Sequence, residues 1–72
     1  MNPFESFLRS LGFSTVATEN VGWTFQRVGF IGWVQIDEEG NWWRVKPGED
    51  EKSLTFGRGL RSLREYMGRN LR

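Results

Sequence analysis

Trp33-Val34-Gln35-Ile36-Asp37-Glu38-Glu39-Gly40-Asn41-Trp42-Trp43-Arg44-Val45-Lys46 is the stretch on which the fold turns. Two runs of aromatic and β-branched residues flank a short acidic segment containing Gly and Asn, the pattern of two strands joined by a hairpin. Three of the chain's four Trp residues lie within it, and Trp23 precedes it. Trp needs a large apolar surface and a partner for its N–H. A chain of 72 residues has little interior to offer, so a ring that does not fit inside becomes surface. A one-residue slip in a hairpin turns every side chain to the other face of the sheet. The register of this hairpin therefore decides which Trp is core.

Two registers compete. A three-residue loop, Glu38-Glu39-Gly40, uses Gly40 in the left-handed position of a G1 bulge. It pairs Asp37 with Asn41 and Ile36 with Trp42. Both faces then come out mixed, with Val34, Ile36, Trp42, Arg44 and Lys46 on one and Ile31, Trp33, Gln35, Trp43 and Val45 on the other. A four-residue loop, Glu38 to Asn41, pairs Ile36 with Trp43. Val34, Ile36, Trp43 and Val45 then share an apolar face, and Trp33, Gln35, Asp37, Trp42, Arg44 and Lys46 share a polar one. Turn chemistry favours the first register. Segregation favours the second, since a sheet with one buried face sorts its residues, and burial is the larger energetic quantity in a small core. The sequence thus predicts the four-residue loop, with Trp42 more exposed than Trp43 and Trp33 beside Trp42.

Upstream, Val21, Trp23 and Phe25 alternate with Gly22, Thr24 and Gln26, the period of a half-buried strand. Gly29 and Gly32 interrupt the apolar run and imply a turn near 29–30, with the next strand at 31–37 and a third at 41–46. Pro47-Gly48 stops the third strand. Glu49 to Lys52 reads as a solvated loop, and Ser53 to Phe56 as a short fourth strand. Residues 14–18 read as either an edge strand or an extended connection, followed by a turn at Glu19-Asn20.

Helices are expected at both ends. Asn2 as cap, Pro3 at the first helical position and Glu5 three residues after the cap mark a start. Phe4, Phe7, Leu8 and Leu11 form one apolar stripe, and Gly12 ends it, giving a helix at 3–11. The second helix lies in 58–71. Ser62-Leu63-Arg64-Glu65 has the form of a capping box, which favours a start at Ser62 over one near Arg58. Leu60, Leu63, Met67 and Leu71 share its apolar side. The expected architecture is one α+β domain over 1–72: N-terminal helix, three- to four-stranded antiparallel meander, C-terminal helix. Phe4, Phe7, Leu8, Leu11, Leu63 and Met67 are its expected core.

Composition narrows the chemistry. There is no Cys and no His, which removes thiol chemistry, Cys- or His-based zinc sites and the commonest general base. The lack of Cys fits a reducing cytoplasm. No apolar run approaches the length that spans a membrane, and the first residues lack the pattern of a signal peptide. Gly57-Arg58-Gly59 lacks the ending of a phosphate loop. The acids at 37–39 and 49–51 lack calcium-loop spacing. A catalytic centre would have to use acids, Lys46, Lys52 or Tyr66. No enzyme, cofactor or metal is expected.

Ten basic and nine acidic residues leave a net charge of +1. Eight of the ten are Arg, and residues 58–72 hold Arg58, Arg61, Arg64, Arg69 and Arg72 against Glu65. Arg is favoured at interfaces for its planar, bidentate contacts. The candidate binding residues are Trp33, Gln35, Trp42, Arg44 and Lys46 on the sheet, with Arg58, Arg61 and Arg64 on the basic flank of the second helix. They suit a protein interface, where Trp and Arg are preferred anchors. They also suit single-stranded nucleic acid, by base stacking and phosphate contact. The near-neutral charge favours a small accessory or regulatory protein that binds another protein, because nucleic-acid-binding domains are usually strongly basic.

Overall fold

The computed structural model describes residues 2–17, 22–48 and 54–71. The element order is α1 (Pro3–Ser10), β1 (Ser14–Ala17), β2 (Trp23–Gln26), β3 (Trp33–Ile36), β4 (Asn41–Val45), β5 (Thr55–Arg58) and α2 (Leu60–Asn70). The five strands form one antiparallel meander in chain order. The α+β expectation holds, with five strands in place of three or four. One addition is 14–17, where the ambiguous segment pairs with β2 as an edge strand. The expected fourth strand begins at Thr55 and becomes β5. The expected turn at 19–20 and loop at 49–52 lie outside the described residues.

α1 follows its sequence signals closely. The Asn2 side chain accepts from the Phe4 N–H at 2.8 Å, and Pro3 occupies the first turn. At the other end the Gly12 N–H donates to the Arg9 carbonyl and the Phe13 N–H to the Leu8 carbonyl, both at 3.0 Å. This is a Schellman stop with Gly12 at φ +91°. It turns Phe13 back against Leu8, and both are buried. Glu5 takes no part in the cap shown. It accepts from Thr15 Oγ1 at 3.1 Å and pairs with Arg9 at 3.6 Å, tying α1 to the edge strand.

α2 begins two residues before the expected start. Gly59 precedes it without a side-chain cap. Ser62 is inside the helix, where its hydroxyl shares its one proton between the carbonyls of Arg58 and Gly59, 2.8 and 3.1 Å away. The chain enters α2 directly from β5, and the Gly59 N–H donates to the Gly40 carbonyl at 2.8 Å, which ties the helix start to the β3–β4 turn.

Both helices lie on one face of the sheet. The core is Leu8 and Phe13, Phe25, Val34, Ile36 and Trp42 of the sheet, and Leu63 and Met67 of α2. Of the six expected core residues, Leu8, Leu63 and Met67 are fully buried, while Phe4, Phe7 and Leu11 are half-buried against the same cluster. Burying an apolar side chain of this size stabilises by about 1.5–3 kcal/mol. Among the described residues no helix is long and apolar enough to cross a membrane.

The hairpin register is the main correction. Ile36 pairs with Trp42, Gln35 with Trp43, Val34 with Arg44 and Trp33 with Val45. This is the three-residue loop. Asp37 donates its N–H to the Asn41 carbonyl at 2.9 Å and accepts from Gly40 N–H at 3.3 Å. Gly40 takes φ +86°, where only Gly is free of strain. The Asp37 carboxylate locks the turn, with Oδ1 accepting from the backbone N–H groups of Glu39 and Asn41 at 2.9 Å and Oδ2 from the Asn41 amide at 3.0 Å. Trp42 is consequently buried at 3 % exposure and Trp43 is half-buried, the reverse of the expected order. Trp33 shares its face with Trp43, not Trp42.

Turn chemistry prevailed because the mixed face is not as polar as it reads. Arg44, the charge that counted against burying this face, is itself buried. Its Nη1 donates to the Tyr66 hydroxyl at 2.9 Å and its Nη2 to the Ile31 carbonyl at 2.8 Å. Its guanidinium carbon lies 3.9 Å from the centre of the Phe30 ring. Stacking on an aromatic face and two hydrogen bonds lower the cost of placing this cation inside without cancelling it.

Candidate functional site

The helices cover only one side of the meander. Alternation along the strands assigns Thr24 and Gln26 of β2, Trp33 and Gln35 of β3, Trp43 and Val45 of β4 and Phe56 of β5 to the other side. The pairings agree: Thr24 lies opposite Gln35, Gln35 opposite Trp43, Trp43 opposite Phe56, and Trp33 opposite Val45. None of these side chains belongs to the core cluster or to the shell packed on it. Phe56 is 71 % exposed. Trp33, Trp43 and Val45 are half-buried, as expected of large cross-strand neighbours that shield one another.

The surface is concave at its centre. An open groove of about 300 Å³ runs between β2, β3 and β4, with Thr24, Gln35, Trp43, Val45 and Leu54 among its walls. Its described walls are mostly apolar, with the Gln35 amide and one acid, Asp37, among them. None of the seven strand positions named above is charged, but Asp37 is a wall of the groove, and Arg58, two residues after Phe56 and paired with Asn41, falls on the same face by alternation.

The candidate residues from the sequence are separated by the sheet. Trp33 and Gln35 lie on the open face. Trp42 and Arg44 lie on the helix-covered face, buried, and this removes them from the surface on which they were expected. Lys46 is exposed beyond the end of β4. Arg58 is exposed at the end of β5, while Arg61 and Arg64 are exposed on α2, across the sheet from the open face. The basic flank is partly engaged: Arg61 pairs with Glu65 at 3.9 Å, and the Arg64 guanidinium sits 4.9 Å from the centre of the Phe7 ring. A pair this exposed contributes little. The aromatic platform and the arginine stripe are thus not one surface.

Trp43, Val45, Leu54 and Phe56 are the residues that the favoured register assigned to the interior or left unplaced. The available signal was the turn, Glu38-Glu39-Gly40, whose Gly sits where a G1 bulge needs it. Among the described residues no cluster of acids is arranged to hold a metal ion.

No known protein family matches this chain, and neither curated proteins nor solved structures include a match.

Proposed function

We propose that the protein is a small non-catalytic accessory or regulatory protein, and that its open sheet face binds a folded protein partner with a largely apolar contact surface. The observation that carries this reading is the face centred on Trp43 and Phe56, which no described element covers. Its aromatic side chains match the desolvated centre of protein interfaces, where aromatic anchors dominate the energy, with Asp37 and Arg58 as charged neighbours. Exposing contiguous apolar surface is otherwise unfavourable for a free soluble chain. The chemistry of the face selects the chemistry of the partner: a strongly charged surface would lose hydration against the aromatic centre.

Single-stranded nucleic acid is less well supported. Stacking rings bind nucleic acid best beside cations that take the phosphates. Here Arg44 is inside, Arg61 and Arg64 are on the helix side, and of the candidate arginines Arg58 alone falls on the open face.

The test is capture from host lysate by the wild-type protein and by Trp43→Ser and Phe56→Ser variants, with and without nuclease, alongside sedimentation of the purified chain. The expected result is a partner protein retained after nuclease, lost in both face variants and kept by Arg61→Ala and Arg64→Ala. Capture abolished by nuclease would assign the face to nucleic acid. Loss of a stable self-associated species in the face variants would assign it to a second copy. A partner lost only with Arg61→Ala or Arg64→Ala would exclude the open face.

A further inference from the structure

We propose that a second site, the pocket between the β2–β3 turn and the C-terminal end of α2, binds an oxyanion of the carboxylate or phosphate kind through Arg44, Arg27 and Asn70. Arg44 is 8 % exposed, and its guanidinium is a cation with five N–H donors and no acceptor. A buried charge is costly unless an opposite charge or a full set of hydrogen bonds compensates it. The partners of Arg44 are all neutral: a tyrosine hydroxyl, a backbone carbonyl and a phenyl face. Two of its five N–H donors are used by these bonds, and its sealed Nε has no partner. Among the described residues the ion pairs are Arg9 with Glu5 and Arg61 with Glu65, so no described carboxylate neutralises Arg44.

Beside this guanidinium lies a pocket of about 320 Å³, lined among others by Arg27, Phe30, Arg44, Asn70 and Leu71. Among the described residues its charged walls are two arginines, with no acid among them. Arg27 is exposed and its long side chain lines the pocket. Asn70 Nδ2 donates to the Tyr66 carbonyl at 2.8 Å and keeps a second N–H. Donors on two guanidinium groups and an amide are the set that makes charge-assisted hydrogen bonds to carboxylate or phosphate oxygens. A bound oxyanion supplies the opposite charge that the described core lacks. The pocket is on the helix side of the sheet, so it stands independently of the open face.

The test is titration of the intact, nitrogen-15-labelled protein with inorganic phosphate and, separately, with acetate, each against chloride at equal ionic strength. Chemical shifts of the Arg44 Nε–H and of the Phe30, Ile31 and Leu71 amides are read with the melting temperature. The expected result is a saturable shift at these groups and a higher melting temperature with at least one oxyanion. Saturation by phosphate alone defines a phosphate site and by acetate alone a carboxylate site, and either upholds the proposal. Arg27→Ala and Asn70→Ala, both at exposed positions, keep the fold; Arg27→Ala should weaken the apparent Kd about tenfold, the loss of one charge-assisted contact. No saturable shift with either anion, or an unchanged Kd in both variants, overturns it.

Discussion

The indole N–H of Trp42 donates to the hydroxyl of Ser62 at 2.8 Å, joining the centre of the sheet to the first turn of α2. The same ring occupies the space above Gly57. A Cβ at position 57 would stand 2.5 Å from the indole, closer than atoms can approach. The burial of Trp42 therefore depends on three things: a strand neighbour with no side chain, a hydroxyl placed to accept, and the tilted Tyr66 ring 5.3 Å away.

Gly57→Ala should consequently destabilise the fold by about 1–3 kcal/mol, the range for overpacking. Ser62→Ala should cost about 1–3 kcal/mol by leaving a buried donor without its acceptor. Urea denaturation measures both. An unchanged midpoint for Gly57→Ala would show that Trp42 has room to move.

Leu63→Ala and Leu8→Ala remove fully buried side chains and should each cost about 2–5 kcal/mol. In a chain this small that approaches the whole stability. Thermal melts within a few degrees of wild type would remove these residues from the core.

Phe56→Ser and Trp43→Ser probe the opposite face. Phe56→Ser should change stability by no more than about 0.5 kcal/mol, as at ordinary surface positions. Trp42→Ala should cost about 3–5 kcal/mol. Comparable losses for Trp42→Ala and Phe56→Ser would mean that the two faces are equally buried.

Tyr66→Phe removes one neutral partner of Arg44 and should cost about 1–3 kcal/mol, since a buried charged donor is left unsatisfied. A stability equal to wild type would show that the guanidinium finds another acceptor.

Acid should loosen the β3–β4 turn. The side-chain hydrogen bond from Asn41 lowers the Asp37 pKa below its usual 3.8, opposed by desolvation and helped by the backbone N–H groups of Asn41, Glu39 and Gly40. A carboxylate with a depressed folded-state pKa gives a contribution that is complete above the unfolded value and lost as pH falls through the folded one. The wild type should therefore lose stability below about pH 4, and Asp37→Asn should flatten that part of the profile. Identical acid profiles for the two would separate the turn from the Asp37 charge.

The sequence by itself determined the ends of α1, because caps and stops are local. Asn2, Pro3 and Gly12 act on backbone groups within a few residues of themselves, and they acted as read. It also determined the antiparallel order, since alternation and turn residues at Trp23–Gln26, Trp33–Ile36 and Asn41–Val45 are written in adjacent segments. Tertiary structure decided the rest. Ser62 reads as a cap, but the chain reaches α2 straight from β5, so its hydroxyl is used inside the helix and against Trp42. Which face of the hairpin is core depended on whether Arg44 could be buried, and its partners, Tyr66, Ile31 and Phe30, are distant in sequence or on another element. A pattern of polar and apolar residues counts Arg44 as a surface charge. Only the folded chain supplies the ring, the hydroxyl and the carbonyl that let it go inside, turning Trp42 inward and leaving Trp43 and Phe56 facing out.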